Sequence, residues 1–281
     1  MTPTFVGIGA QKCASSWLYD ILSDHPQALL SKKKELDFFT YHYENGYTWY
    51  ENNFPPGIQA RAIGEISPSY FHEASAPERV RRYLADARIL VSLRDPVERA
   101  LSQHRHLARI GLLTGPDFTF ERGVAANPSY IEQGMYATHL RRWRQYFPAE
   151  QILVVLMDDI CTDARSIAGA VYKFLRIDPT HVSKALHERS NPSYVVRNRV
   201  FDLGVKELRR VADSLGLMPL WRAMGDTGLR RMYRAFNRRP SQTIIPHPKP
   251  ETLIHLRAHF RPEVEALEDM LGRELSRWKE P

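Results

Sequence analysis

Four short apolar runs limit what this chain can fold into: TFVGIG at 4–9, AIGEI at 62–66, ARILVSL at 87–93 and QILVVLMDDI at 151–160. None alternates cleanly between apolar and polar residues, so neither face of such a strand is left for water. Between them lie stretches with helical apolar spacing, at 15–24, 75–84, 97–110, 137–147 and 164–177. Strands buried on both faces and alternating with helices predict an α/β fold, a parallel sheet with helices on both faces. By periodicity alone the same runs could be buried helix segments. Their β-branched content and flanking turn residues favour strands.

The first run enters a small-residue turn and continues as a helix: FVGIGAQKCASSWLYDIL, 5–22. Backbone N–H groups of such a turn, with the positive end of the helix dipole, converge on an anion. Lys12 adds a point charge, and Ser15 and Ser16 add hydroxyl donors. A Walker A loop would place a glycine before the lysine and a Ser or Thr directly after it, on Mg²⁺. Here the lysine is followed by CASS, so no magnesium geometry is written and no metal is expected. The blander reading is a small-residue turn with an exposed lysine.

A second element is LVSLRDPVERALSQHRHL, 90–107. A buried strand ends in Arg94, and Pro96 sets the first turn of a helix. Ser102 lies eight residues beyond Arg94, about two turns along at ~3.6 residues per turn. An arginine at the carboxyl end of a strand reaches into the crevice where open α/β sheets bind ligands. Alternatively, Arg94 pairs with Asp95 or Glu98 as a helix-start ion pair. His104 and His106, two apart, face different sides of the helix, so they are read as solvated or phosphate-adjacent rather than metal-ligating.

Two phosphate-directed elements without a magnesium motif point to a nucleotide with phosphates at two separate places. GAQKCASSWL resembles the 5′-phosphosulfate loop of the sulfotransferase family, often KxGTTWL, and LRDPVERALSQH resembles its 3′-phosphate motif, RxPxxRAxSxY/H. The similarity extends through APERVRRYL, LRRWRQYFPAEQILVVLMDDI, VYKFLRI and LEDMLGRELSRW, and is closest in tone to the bacterial branch related to the heparan sulfate enzymes. The resemblance implies a P-loop-like domain that transfers a sulfuryl group from 3′-phosphoadenosine 5′-phosphosulfate (PAPS) to an acceptor hydroxyl or amine on a glycan, glycolipid or small metabolite. It implies that Gln11, Lys12, Cys13, Ala14, Ser15 and Ser16 hold the 5′-phosphosulfate, that Trp17 lies against the adenine, and that Arg94 and Ser102 take the 3′-phosphate. Lys12 is then also catalytic, stabilising the bridging oxygen.

On the acceptor side, SKKKELDFF (31–39) resembles the family's KExHFF stretch, whose glutamate, here Glu35, is the implied base. A carboxylate in a partly dry cleft has its pKa raised toward neutrality and can take the acceptor proton. The chain departs from the pattern at Asp37, usually histidine, at Ile66, where heparan-type enzymes carry lysine, and at Ala14-Ser15-Ser16 in place of GTT. Lys32, Lys33 and Lys34 also fit an ordinary solvated charge run. The aromatic stretch YHYENGYTWYENNF, 41–54, suits stacking on a sugar or packing of its own loop equally. Two other readings stay open. One is a PAPS- or anion-binding protein without turnover; the other is a P-loop kinase, since ILVVLMDD imitates a Walker B strand leading to Asp158 and Asp159.

The whole chain of 281 residues is expected to form one domain: a PAPS-binding core (1–180), a substrate-side cap (181–250) and C-terminal helices (251–281) divided at Pro262. The net charge is +7, with arginines concentrated at 79–88, 139–147 and 197–239, which suits an anionic acceptor. No helix-turn-helix, zinc finger or RNP motif is present, so nucleic acid is not expected. No run reaches the ~18–20 apolar residues of a membrane span, and the N-terminus lacks the basic flank of a signal peptide. Two cysteines, Cys13 and Cys161, build no disulfide framework, so a reducing cytoplasm is expected.

Overall fold

The first apolar run becomes β1 (Phe5–Gly9), every residue of which is buried. It is followed by α1 (Ser15–Ser23), β2 (Ala28–Leu30), α2 (Gly46–Glu51), β3 (Ala62–Ile66), α3 (Ala76–Tyr83), β4 (Arg88–Leu93) and α4 (Pro96–Arg109). Beyond these come α5 (Phe120–Ala126), α6 (Ser129–Glu132), α7 (Tyr136–Arg144), β5 (Ile152–Leu156) and α8 (Met157–Phe174). A computed structural model describes residues 2–55, 60–113, 118–187, 194–196, 238–240 and 245–280.

Strands β1 to β5 form one sheet in the order β2-β3-β1-β4-β5, with every pairing parallel. The chain moves to one side of β1 for β2 and β3 and to the other for β4 and β5. Such a reversal opens a crevice at the carboxyl ends of the central strands. One face carries Phe5, Leu90 and Val155, packed by Leu18, Ile21 and Leu22 of α1 and by Val171 and Tyr172 of α8. The alternate residues Val6, Ile8, Ile89 and Val91 are equally buried, so both faces are covered, as the continuous runs require.

Three elements differ from their sequence-based expectation. β2 is only three residues long, too short to stand out. The segment MDDI does not extend the strand: β5 ends at Leu156 and α8 begins at Met157. The C-terminal helix α9 (Pro250–Leu271) runs on through Pro262, and the division comes at Gly272, whose φ of 62° ends it before α10 (Ser276–Lys279). A proline inside a helix removes one hydrogen bond. Burial of Leu256, Phe260, Val264 and Leu267 on both sides of it offsets that loss.

By internal contacts the chain divides into two units. The first comprises Met1–Ala100, Ile131–Ser190 and Ile254–Pro281, and contains the sheet. The second comprises Leu101–Tyr130 and Asn191–Leu253. In it β6 (Tyr194–Val196) pairs antiparallel with β7 (Arg238–Pro240). His104 is buried there, its Nδ1 2.8 Å from the Tyr130 hydroxyl and its Nε2 3.2 Å from the Phe118 carbonyl oxygen. It is a packing residue rather than a solvated one. Most of the arginine-rich stretch 197–239 lies outside the described residues.

The tightest point of the sheet is Gly64 on β3. A Cβ there would sit 2.3 Å from the Phe5 carbonyl oxygen and 2.7 Å from the Phe5 ring, both held by the core. Gly64→Ala is therefore expected to destabilise the fold by about 1–3 kcal/mol, the usual penalty of overpacking. Urea denaturation checks this by a lowered midpoint.

Candidate functional site

The turn from β1 into α1 is built from small side chains and two left-handed residues, Lys12 and Ala14, both at φ 67°. For a non-glycine residue that conformation costs on the order of 1–2 kcal/mol, and such strain gathers at functional turns. Ala14 is the N-cap of α1 and offers no side-chain bond to its first turn. Cys13 faces inward: its Sγ is fully buried, 3.5 Å from the Tyr136 hydroxyl, and burial pushes its thiol pKa up. It is a spacer, not a nucleophile. Gln11, Lys12 and Ser16 are half-buried and Ser15 is buried. Trp17 turns into the core beside Phe5 and Leu18 with 7% of its surface exposed, so contact with an adenine would fall to that remaining edge.

At the end of β4, Arg94 Nη2 donates to Glu98 Oε2 at 2.9 Å. The helix-start ion pair is thus formed, and it engages one of the five N–H donors of the guanidinium. Asp95 caps α4, its Oδ1 accepting from the amides of Val97 (2.8 Å) and Glu98 (3.1 Å). Burial raises the Asp95 carboxyl against the pull of those amides and of Arg257, which donates to Oδ2 at 3.0 Å. Ser102 is half-buried on α4, in the part of that helix that belongs to the second unit.

The acceptor-side stretch follows β2. Of its three lysines, Lys32 and Lys33 are exposed, as a solvated run would be. Lys34 is not part of such a run. Its Nζ donates to Ser16 Oγ at 2.8 Å and to Glu35 Oε1 at 3.1 Å, tying the donor-side loop to the candidate base. Sequence reasoning left Lys34 among its neighbours, since KKKE carries no signal that singles it out. The Glu35 side chain is 50% exposed and its backbone is left-handed, φ 62°. Asp37, also left-handed at φ 50°, accepts from Ser69 Oγ at 2.5 Å, and burial raises its carboxyl. Ile66 is fully buried in the α1/α8 core against Gly7.

Behind this stretch the aromatics pack on one another. Phe38 stacks on Tyr50 at 4.6 Å, Tyr47 on Tyr83 at 4.1 Å, and the Arg79 guanidinium lies 4.4 Å from the Tyr43 ring centre. For these rings, packing of the loop is the reading the geometry supports. Beneath them sits Glu65, wholly buried, with its carboxyl raised to about 7 by loss of hydration, although Ser67 and Tyr70 hydroxyls lower it. In the sequence its only signal is a lone charge inside AIGEI.

The acidic pair that imitates a Walker B motif has other work. Trp278 Nε1 donates to Asp158 Oδ2 at 2.7 Å, and Arg273 donates to both Asp159 oxygens at 2.5 and 2.6 Å. These carboxylates fasten the C-terminal segment to α8. Among the described residues no group of three His, Cys, Asp or Glu side chains is placed to hold a metal ion.

A family model described as "Sulfotransferase domain" matches residues 3–197. The chain belongs to the sulfotransferase family. It is 31% identical over 196 residues to the human bifunctional heparan sulfate N-deacetylase/N-sulfotransferase 3, a match covering 63% of this chain and 22% of that protein. It is also 31% identical over 179 residues to the human heparan sulfate glucosamine 3-O-sulfotransferase 3B1, covering 62% of this chain and 46% of that protein. This sulfotransferase chain therefore spans less than half the length of either relative. A sulfotransferase crystal structure from Alicyclobacillus acidocaldarius superposes over 100% of both chains with a TM-score of 0.72 at 23% identity, which shows the shared fold. No helix among the described residues is long and apolar enough to cross a membrane.

If Asp159 is a fastener rather than a metal ligand, Asp159→Ala should lower stability by no more than about 1 kcal/mol, the range of a partly exposed ion pair. Chemical denaturation measures that loss. Denaturation curves recorded with and without Mg²⁺ should coincide for the wild type.

Proposed function

We propose that the protein transfers a sulfuryl group from PAPS to a hydroxyl or amine of an acceptor, a carbohydrate in the first instance. The observation that carries this reading is the Lys34 bridge, which joins Ser16 of the donor-side loop to Glu35 of the acceptor-side stretch within two hydrogen bonds. Donor loop and candidate base are thereby neighbours, as an in-line transfer needs. The heparan sulfate activities in the names of the two human relatives support the carbohydrate class.

In this reading the amides of residues 11–16 and the Ser15 and Ser16 hydroxyls receive the 5′-phosphosulfate, while Arg94 and Ser102 receive the 3′-phosphate. The donor supplies an activated sulfuryl group. Glu35 accepts the acceptor proton as its oxygen or nitrogen attacks sulfur. Lys12 neutralises the charge that collects on the bridging oxygen when the S–O bond breaks with its electron pair. Lys34 holds Glu35 toward the loop. Cationic side chains and backbone dipoles are sufficient for this stabilisation without a metal. Most of the segment 181–250, expected from the sequence as a substrate-side cap, lies outside the described residues.

Incubation with ³⁵S-labelled PAPS and a panel of acceptors that includes desulfated heparan oligosaccharides tests the proposal. Transfer should persist in excess EDTA, and Lys12→Ala should abolish it. Chelation that stops transfer, with recovery on adding Mg²⁺, would overturn the metal-free mechanism. Binding of 3′-phosphoadenosine 5′-phosphate without transfer to any acceptor would favour a binding protein instead.

Arg94→Ala should weaken binding of that bisphosphate by about ten- to a hundredfold, because a charge-assisted contact contributes roughly 1.5–3 kcal/mol. The 3′-dephosphorylated analogue offers no partner and should bind both forms alike. Calorimetric titration with each nucleotide distinguishes the outcomes, and an equal loss for both would overturn the role given to Arg94.

A further inference from the structure

We propose that Glu65 is a positioning residue for sulfuryl transfer: from β3 it fixes the turn 35–38 that presents Glu35, acting through Ser67 and Tyr70. This rests on the acceptor-side role given to Glu35 above.

The wiring is explicit. Ser67 Oγ donates to Glu65 Oε2 at 2.5 Å and accepts from the Asp37 amide at 2.9 Å. The Tyr70 hydroxyl donates to Glu65 Oε1 at 2.5 Å and accepts from the Phe38 amide at 2.8 Å. The Leu36 amide also donates to the carboxylate. Three successive amides, immediately after Glu35, are therefore held by one buried carboxyl, directly or through a single hydroxyl. The turn needs such a hold, because Glu35 and Asp37 both sit in the left-handed region, at φ 62° and 50°. The turn is also tied by the Glu35 amide to the Ile66 carbonyl, 3.2 Å, by Ser69 Oγ to Asp37 Oδ1, 2.5 Å, and by the amides of Thr40, Tyr41 and His42 to the Asp37 carbonyl. Because each hydroxyl already accepts an amide proton, its own proton is directed at Glu65.

The remaining groups that face Glu65 are the Tyr50 hydroxyl of α2, 3.5 Å from Oε1, and the Asp37 carboxyl of the turn itself. No cation is among these groups. Burial raises Glu65 to about 7, and opening the turn would admit water and return it to the ordinary carboxylate range. The closed turn thus binds a proton more tightly than the open one. Its hold is complete below about pH 4.5 and weakens as pH rises through about 7. Asp37 is raised in the same direction, so only a change at Glu65 isolates the contribution of Glu65.

The test is amide hydrogen exchange by NMR on the full chain at pH 5–8, corrected for the intrinsic rise of exchange with pH. In the wild type, protection at Leu36, Asp37 and Phe38 should fall by at least about tenfold across this range. In Glu65→Gln, which cannot titrate, it should be nearly flat with pH. Ser67→Ala should release the Asp37 amide and Tyr70→Phe the Phe38 amide, each by about tenfold and each leaving the other protected. If Glu65→Gln does not fold, Glu65→Asp, whose shorter side chain draws the carboxyl away from both hydroxyls, should lower protection at all three amides. Unchanged protection at all three amides in folded variants, or a flat wild-type profile, would overturn the proposal. Calorimetry with 3′-phosphoadenosine 5′-phosphate, run in parallel, should give the same affinity for wild type and variants. A wild type that does not bind it would count against the donor assignment, while the exchange data still judge Glu65.

Discussion

Everything at the candidate site depends on β1 being buried on both faces between two parallel neighbours. A strand in that position cannot end in the open. Its carboxyl end must emerge beside those of β3 and β4, so three connections are delivered to one place: the turn 10–14, the segment 67–70 and the helix start at 94–98. The acceptor-side turn joins them by hydrogen bonds from Glu35 and Asp37 to Ile66 and Ser67, at the end of β3. The close approach of Gly64 to Phe5 sets how tightly β1 and β3 can pack.

How much of this was legible in the sequence follows from how local each signal is. Four strands and the donor-side loop were readable because continuous apolar runs and a small-residue turn are properties of adjacent residues. β2, with three residues, gives no such pattern. Pro262 signals a break because the local rule is strong, whereas the burial that overrides it comes from distant residues. Lys34 and Glu65 show the same limit in the site itself. The value of Lys34 lies in a hydroxyl eighteen positions earlier, and that of Glu65 in a turn nearly thirty positions before it.

The Asp158-Asp159 pair makes the opposite point. Its local pattern was informative but ambiguous, since apolar residues followed by two carboxylates suit a metal site and a helix start alike. The partners that resolve it, Arg273 and Trp278, stand 114 and 120 residues away. They belong to the closing segment LEDMLGRELSRW, which shares the family resemblance. That segment is a clasp: it engages the α8 carboxylates on one side, and Arg257 of α9 reaches Asp95, the cap of α4, on the other. The start of α4 is thereby tied to the C-terminal helices.

The inward-facing thiol of Cys13 has a practical consequence. The sequence contains two cysteines. One is sealed behind the loop against Tyr136, and the other, Cys161, is exposed on α8. A thiol-directed dye added to the native protein therefore meets a single accessible thiol, remote in sequence from the loop, without any engineered substitution. Labelled there, the chain could be followed by fluorescence anisotropy or energy transfer, with the chemistry of its loop left as the sequence wrote it.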